Sequence, residues 1–200
     1  MSVEDRSKWD SRYDAGEYAT RTHPTDLLVQ WMGRLPRGRA LDLACGAGRN
    51  AIFLAGQGYQ VDALDISQIA LDRGAKRAEE NGLVVNWICQ DLDTPDIALD
   101  SYDLIFVARF LNRALFPLLV DGLRDGGCLV YETHLRTTAR VGGPRGSHFR
   151  VRPGELLHLA HELRPFHYFE GIADERDGAS MALAQIIGCK GTPAFESTST

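Results

Sequence analysis

The segment "ALDLACGAGRN", residues 40–50, constrains the fold of this chain more than any other part of the sequence. Its first half is short, mostly apolar and typical of a buried strand, although it includes Asp42. Gly46 and Gly48 then form a loop before the helical run that follows. A glycine loop between a strand and a helix lets a ligand approach the backbone closely, and the pattern G-x-G-x-x-A is shared with dinucleotide-binding proteins. The segment therefore predicts a ligand site, and the surrounding charges must identify the ligand.

Strand-like and helical runs alternate through the first part of the chain. Five short runs rich in Val, Ile, Leu and aromatic residues predict strands at 40–44, 59–65, 84–91, 102–108 and 127–134. Helical periodicity separates most of these runs, at 49–58, 67–82 and 113–127. This alternation predicts a parallel sheet that helices cover on both faces.

The last third of the chain has a different character. Residues 135–155 are rich in Gly, Pro and Arg and predict a long loop, which a helix at 154–163 follows. The runs 166–173 and 180–190 flank the turn-like "DERDG" and predict a hairpin. The expected fold is α/β: a Rossmann-like, doubly wound, mostly parallel seven-stranded sheet with a C-terminal antiparallel hairpin.

The length of 200 residues predicts a single domain. We expect residues 1–190 to form it, with an N-terminal helical lid at 1–38 and a cofactor-binding core at 39–134. Residues 135–190 would supply the substrate loop, a helix and the hairpin. Residues 191–200, "GTPAFESTST", are expected to form a disordered tail.

Composition argues against several functional classes. The net charge of −5 argues against a general nucleic-acid binder. No apolar run approaches the roughly 18 residues of a spanning helix. The N-terminal "MSVEDRSKWDSRYD" lacks the apolar core of a signal peptide. We therefore expect no nucleic-acid partner, no membrane partner and a cytoplasmic location.

The four cysteines are scattered singly through strand-like segments: Cys45, Cys89, Cys128 and Cys189. The sequence contains no CxxC pair and no histidine at metal-ligand spacing. Neither a metal site nor a disulfide framework is expected.

Three aspartates lie in or at the ends of the first three predicted strands: Asp42, Asp65 and Asp91. The carboxyl ends of parallel strands meet at one edge of the sheet, so we expect these side chains to line one pocket. They would repel a pyrophosphate, whereas S-adenosylmethionine carries a sulfonium and an ammonium group that they would attract. We expect Asp42 to hold the ammonium directly or through water, Asp65 to accept from both ribose hydroxyls, and Asp91 to accept from the adenine amino group. The alternative for Asp65 and Asp91 is that each caps the next turn.

The stretch "LDLACGAGRNAIFLAGQGYQVDALDIS" resembles the first motif and second strand of class I S-adenosylmethionine-dependent methyltransferases, whose usual loop is D/E-x-G-x-G-x-G. Ala44 replaces the first glycine of that loop. Similarity to the tellurite-resistance methyltransferases of the TehB type covers nearly the whole chain, through "YATRTHPTDLL", "CGAGRN", "QDLDT" and "FRVRPGELLHL". Where that type has Leu-His-Arg near the hairpin turn, this chain has "ADERDG", with only Arg176 as a stand-in. The resemblance therefore implies methyl transfer as the reaction, but it does not identify the methyl acceptor.

The resemblance implies S-adenosylmethionine as the cofactor. The expected cofactor-binding residues are Tyr13, Arg21, Asp42, Ala44, Cys45, Gly46, Asp65, Ile66, Asp91, Leu92 and Ala108. Trp9, Tyr13 and Tyr18 either form a lid over the cofactor or hold the N-terminal helix on the core. Arg21 also suits a carboxylate or oxyanion of the acceptor.

Methyl transfer depends mainly on holding the acceptor in line with an already activated methyl group, so no obligatory nucleophile marks the acceptor site. We predict His134 and Arg109 as catalytic residues, because Arg109 follows the fourth predicted strand and His134 ends the fifth. Arg109 stays protonated and would orient an anion, while the alternative for His134 is a hydrogen-bonded wall residue. The loop at 135–155 carries five arginines: Arg136, Arg140, Arg145, Arg150 and Arg152. This basic loop either attracts an anionic acceptor or contacts only solvent.

The sequence thus predicts an S-adenosylmethionine-dependent methyltransferase that acts on a small molecule such as a tellurite- or selenite-like oxyanion, a thiol or a carboxylate. One alternative is a nicotinamide-dependent oxidoreductase, which the acidic pocket and the lack of a second, substrate domain disfavour. The other is a protein that binds S-adenosylmethionine without turning it over. The oligomeric state has no signal in the sequence.

Overall fold

The computed structural model describes residues 3–176 and 178–192. The expected disordered tail lies mostly outside these residues, because 193–200 are not among them. No helix among the described residues is long and apolar enough to cross a membrane.

The strands and helices follow the predicted alternation. The strands are β1 (Arg39–Leu43), β2 (Gln60–Asp65), β3 (Asn86–Cys89), β4 (Tyr102–Ala108), β5 (Leu123–Leu135), β6 (Arg150–Val151), β7 (Arg164–Asp174) and β8 (Ser180–Cys189). The helices are α1 (Val3–Asp14), α2 (Asp26–Trp31), α3 (Arg49–Gly56), α4 (Gln68–Glu80), α5 (Phe116–Gly122) and α6 (Glu155–Leu159). Short 3₁₀ turns precede α5 at Arg113–Leu115 and β6 at Ser147–Phe149.

One mixed sheet contains all the described strands. Its order is β3-β2-β1-β4-β5-β8-β7, and the first five of these strands are parallel. Strand β8 runs antiparallel to both β5 and β7. This confirms the mostly parallel sheet with a C-terminal antiparallel hairpin, to which the two-residue β6 adds a short eighth strand beside the end of β5.

The two faces of the sheet pack against different helices. On one face Ala40 belongs to a buried cluster that includes residues of α2, α3 and α4. On the other face Leu41 and Leu43 pack in a cluster that includes residues of α5 and α6. Because side chains alternate along a strand, Asp42 lies on the same face as Ala40, towards α3. This alternation places a carboxylate beneath the start of a helix.

The helix predicted at 113–127 ends earlier, at Gly122, and β5 begins at Leu123. The carbonyls of Asp121 and Gly122 accept hydrogen bonds from the backbone N–H groups of Asp100 and Ser101. These bonds draw the chain into the sheet, where Leu123 pairs with Tyr102. The apolar spacing at the helix end continues into the strand, so the sequence pattern did not show the boundary.

The expectation that the chain has no disulfide was wrong, because Cys128 and Cys189 form one. They are partners in the antiparallel register of β5 and β8, with Cα atoms 4.0 Å apart. Their separation of 61 residues hides this pairing from the sequence. Cys45 and Cys89 are free thiols.

We expect the disulfide to stabilise the sheet, because it cross-links strands that are 61 residues apart. Replacing both Cys128 and Cys189 by Ala should lower the free energy of unfolding by up to about 4 kcal/mol, measured by urea denaturation. Reductant should destabilise the natural chain similarly and leave this double variant unchanged. Cys89→Ala, which removes a free thiol, is the matched control. Detection of four reactive thiols after unfolding without reductant would show that the cross-link does not form.

Candidate cofactor and acceptor site

The glycine loop turns sharply between β1 and α3. Ala44 has a φ of +58°, and Gly46 and Gly48 have φ values of +56° and +72°. A left-handed conformation costs a residue with a Cβ atom roughly 1–2 kcal/mol, whereas glycine adopts it freely. The backbone at Ala44 thus accounts for the glycine usual at this position in class I methyltransferases. The alanine keeps the turn at some cost in stability.

Asp42 is buried beneath the N-terminus of α3. Its side chain is 1% exposed and accepts a hydrogen bond from the backbone N–H of Ala51, while Oδ2 has no partner among the described residues. Burial raises the pKa of Asp42 to about 8, although the bond from Ala51 and the charge of Arg49 act in the opposite direction. A buried carboxylate oxygen beside a ligand loop suits a cationic partner. The site therefore fits the ammonium and sulfonium of S-adenosylmethionine better than a pyrophosphate.

Asp65 holds the turn that follows β2 as well as the glycine loop. Its Oδ2 accepts from the N–H of Gly46 at 2.8 Å, and its Oδ1 accepts from the N–H of Ser67 at 2.9 Å. Burial raises its pKa, and these backbone bonds oppose that shift. The capping role considered as an alternative is therefore present. Each oxygen retains a second lone pair for a ribose hydroxyl, and that contact stays a prediction.

The third aspartate also caps a turn. Asp91 Oδ1 accepts from the N–H of Asp93 at 2.8 Å, and the proposed contact with adenine stays a prediction. Leu92 and Ile66 are buried beside the ends of β3 and β2, where they belong to the apolar wall of this edge. Ala108, at the end of β4, is partly buried.

Cys45 is a buried wall residue of the glycine loop. Its backbone N–H donates to the carbonyl of Leu64, and burial raises the pKa of its thiol well above the usual value. A neutral thiol is a weak nucleophile, so Cys45 has no covalent role in this arrangement.

Helix α1 lies over the glycine loop. Asp10 accepts from Ser67 Oγ at 2.6 Å and from the N–H of Ile69 at 3.4 Å, which attaches α1 to the start of α4. The hydroxyl of Tyr13 lies so close to Gly46 that a Cβ atom there would be 2.3 Å from it. Gly46 therefore makes room for a side chain from α1. Helix α1 is thus attached to the core, and its role as a lid over the cofactor stays a prediction.

The pair Arg49-Asn50, directly after the glycine loop, anchors the segment 21–25. Arg49 donates to the carbonyl of His23 at 3.0 Å and to Thr25 Oγ1 at 3.2 Å. Asn50 Oδ1 accepts from the N–H of Thr25 at 2.8 Å. Sequence reasoning assigned no role to this pair, although its position at the start of α3 was a signal. The contacts hold Arg21 beside the carboxyl edge of the sheet.

Arg109 is bonded to protein groups on three sides. Its Nε donates to Glu132 at 3.0 Å, its Nη1 to the sulfur of Met181 at 2.9 Å, and its Nη2 pairs with Glu175. The residue has a φ of +60°, which such surroundings must maintain. Two carboxylates neutralise its charge, so the geometry favours a structural link between β4, β5 and the hairpin over an anion clamp. Its predicted catalytic role is untested.

His134 lies near the end of β5 and is 7% exposed. Its Nδ1 has no hydrogen-bond partner among the described residues. Burial, together with the charges of Arg109, Arg150 and Arg21, lowers its pKa to about 3. The imidazole is therefore neutral at neutral pH.

Arg21 and Arg150 lie near His134, Arg49 lies near Arg21, and none of the three forms an ion pair with a carboxylate among the described residues. Arg21 lies over the ring of Tyr18 at 5.2 Å, and Arg49 bonds the 21–25 segment. Arg150 donates to the carbonyls of Pro144, Leu135 and Gly142. We call Arg21, Arg49, Arg150 and His134 the acceptor cluster. Its three arginines add local positive charge without a direct ion pair, although Glu132 and Glu175 lie near enough to act on Arg49.

We expect Asp42→Asn to weaken the cofactor complex and stabilise the cofactor-free protein. The pKa of Asp42 is about 8 in the folded chain against roughly 3.9 when unfolded. Its contribution to stability is therefore fully present below about pH 4 and is lost as the pH rises through 8. At pH 8, Asp42→Asn should raise the free energy of unfolding by on the order of 1 kcal/mol or more. Affinity for S-adenosylhomocysteine should fall about tenfold or more by calorimetry.

Asp62→Asn is the matched control for this experiment, because Asp62 is a buried carboxylate whose side chain lies on the other face of the sheet, paired with Arg39 at 2.7 Å. It should lower stability and leave the affinity for S-adenosylhomocysteine unchanged. An Asp42→Asn protein with undiminished affinity would show that this carboxylate does not face the cofactor.

Comparison with known proteins points to one family. A family model described as a methyltransferase domain matches residues 40–127, which include β1, the glycine loop and β4. The chain is 31% identical over 155 residues to the Arabidopsis thaliana protein named "Probable thiol methyltransferase 2", across 72% of this chain and 68% of that protein. It is 29% identical over 90 residues to a Haemophilus influenzae protein named "Probable S-adenosyl-L-methionine-dependent methyltransferase TehB", across 44% of this chain but only 31% of that protein.

One of these relatives also has a similar solved structure. The crystal structure of TehB from Haemophilus influenzae superposes with a TM-score of 0.73 at 22% identity, over 90% of this chain and 66% of that chain. Family membership sets aside the nicotinamide-dependent alternative and identifies the cofactor as S-adenosylmethionine. The chain belongs to the class I S-adenosylmethionine-dependent methyltransferases, close to the TehB type.

Proposed function

We propose that this chain transfers a methyl group from S-adenosylmethionine to a small anionic molecule. The observation that carries the proposal is the acceptor cluster, in which Arg21 and Arg150 lie near a neutral histidine, Arg49 lies near Arg21, and none of the three forms an ion pair among the described residues. Arg49 and Arg150 are partly buried, and partly buried positive charge without an ion-pair partner is stabilised when a ligand supplies negative charge. An oxyanion, a carboxylate or a thiolate would supply it.

The chain's own residues would perform mainly positioning. Bound S-adenosylmethionine supplies a methyl group already activated on a sulfonium. The acceptor's nucleophilic atom forms a bond to that methyl carbon as the carbon–sulfur bond breaks, which leaves S-adenosylhomocysteine. Asp42 would orient the cofactor, while Arg21 and Arg49 would hold the acceptor in line.

An anionic nucleophile does not need a general base. His134, with a pKa of about 3, is too weak a base to take a proton near neutral pH. We therefore assign His134 a contact with the acceptor in its neutral form. This refines the catalytic role proposed from the sequence.

The relatives are compatible with this proposal. The Arabidopsis thaliana relative is named for a thiol acceptor, and a thiolate is an anion that the acceptor cluster would stabilise. A small-molecule acceptor also agrees with the net negative charge of the chain, which disfavours nucleic acid. A cytoplasmic location stays a prediction.

A screen with methyl-labelled S-adenosylmethionine tests the function across tellurite, selenite, thiols, carboxylates and neutral amines. Anionic acceptors should be methylated, and added salt should reduce kcat/KM because exposed charges are screened over about 8–10 Å. Arg21→Gln should lower kcat/KM for the anion about tenfold. Arg34→Gln is the matched control, since Arg34 lies over Trp31 at 5.4 Å much as Arg21 lies over Tyr18 at 5.2 Å.

Two outcomes of the screen would contradict the proposal. If the protein prefers neutral amines and Arg21→Gln has no effect on kcat/KM, the acceptor is not an anion. Tight cofactor binding without transfer to any acceptor would instead favour a protein that binds S-adenosylmethionine without turnover.

The pH dependence tests the role of His134. With an acceptor whose own charge is constant, kcat/KM should be flat between pH 5.5 and 7.5, because His134 loses its proton near pH 3, far below its ordinary value of 6.5. His134→Gln should leave this profile flat while it lowers the rate. A rise in rate near pH 6.5 that disappears in His134→Gln would show that the histidine acts as a general base.

A further inference from the structure

The loop between β5 and β6 borders an open cavity of about 420 Å³. We call it the loop cavity. Its lining includes Arg136, Arg145, Arg150, Val141, Gly143 and Pro144. The volume lies in the range of pockets that hold small organic ligands, and a single inorganic oxyanion would leave much of it unfilled.

The charged part of the lining is entirely positive. Arg150 is held rigidly by the carbonyls of Pro144, Leu135 and Gly142. Arg136 donates to the carbonyl of Ser147 at 3.2 Å. Arg145 is exposed and makes no hydrogen bond or ion pair within the described part of the chain. The cavity thus combines a preorganised guanidinium with one that is free to bind an anion.

The remaining lining is largely apolar, with Ala139, Val141 and Pro144 beside the arginines. A ligand that occupies this space should carry a compact apolar body next to its charge. Small-molecule sites commonly combine apolar walls with a few placed charged groups in this way.

The loop cavity adjoins the acceptor cluster. Gly143 lines the cavity, and a Cβ atom on it would come within 2.7 Å of the His134 ring. Arg150 belongs to both the cavity lining and the acceptor cluster. A molecule bound in the cavity would therefore lie next to the groups that hold the methyl acceptor.

We propose that the loop cavity binds a second charged group of an organic acceptor whose anionic nucleophile is methylated at the acceptor cluster. This inference rests on the proposed function and narrows its acceptor class. An inorganic oxyanion is too small to occupy both places. The acceptor is instead an organic anion with a compact apolar body, such as a carboxylate or a phosphate monoester.

Calorimetry with phenyl phosphate and inorganic phosphate tests the cavity directly, on the full chain saturated with S-adenosylhomocysteine. Phenyl phosphate should bind more tightly than inorganic phosphate. Arg145→Gln should weaken phenyl phosphate binding about tenfold, because a charge-assisted contact is lost. Arg140→Gln is the matched control, since Arg140 is an exposed arginine of the same loop that does not line the cavity. Ala139→Asp should weaken both ligands by placing a negative charge in the lining.

Equal affinities for the two phosphates, or equal effects of Arg145→Gln and Arg140→Gln, would overturn this inference. Binding is measured without methyl transfer, so the two proposals can fail separately. If the natural chain and Arg145→Gln methylate anions at equal rates, the proposed function would stand, but the loop cavity would have no role in binding the acceptor. For an organic acceptor found in the screen, Arg145→Gln should raise KM and leave kcat unchanged.

Discussion

The buried carboxylate of Asp42 is the constraint on which the cofactor side of this protein depends. It lies under the N-terminus of α3, takes one backbone hydrogen bond from Ala51, and leaves its other oxygen without a partner among the described residues. Such a group is unfavourable in an unliganded core, so the fold keeps it only where a cation can approach. The left-handed turn at Ala44 and the bonds of Asp65 shape the loop through which that cation is reached.

The two halves of the site contain ionisable groups of opposite sign. Carboxylates line the cofactor side, whereas arginines without carboxylate partners among the described residues line the acceptor side. A positively charged sulfonium and a negatively charged acceptor would each be attracted to its own half, and their mutual attraction favours the in-line arrangement. Arg49 and Asn50 connect the halves, because they begin α3 and also anchor the 21–25 segment.

Arg109 illustrates what sequence reasoning could not supply. Its position after β4 was predicted correctly, and an arginine at a sheet edge is a reasonable anion clamp. Its partners Glu132, Met181 and Glu175 lie 23, 72 and 66 residues away, and only the folded sheet brings them together. For Asp65 and Asp91 the capping role was foreseen because it depends on neighbours within two residues.

By itself the sequence determined the class of fold, the glycine loop, the hairpin and the aspartates at the carboxyl edge. These features follow from residue periodicity, glycine conformation and charge, which act over a few positions along the chain. The tertiary structure decided the pairing of Cys128 with Cys189, the end of α5 at Gly122 and which arginines among the described residues form no ion pair. Each of these depends on strand register or on packing between distant segments, and local sequence carries little information about either.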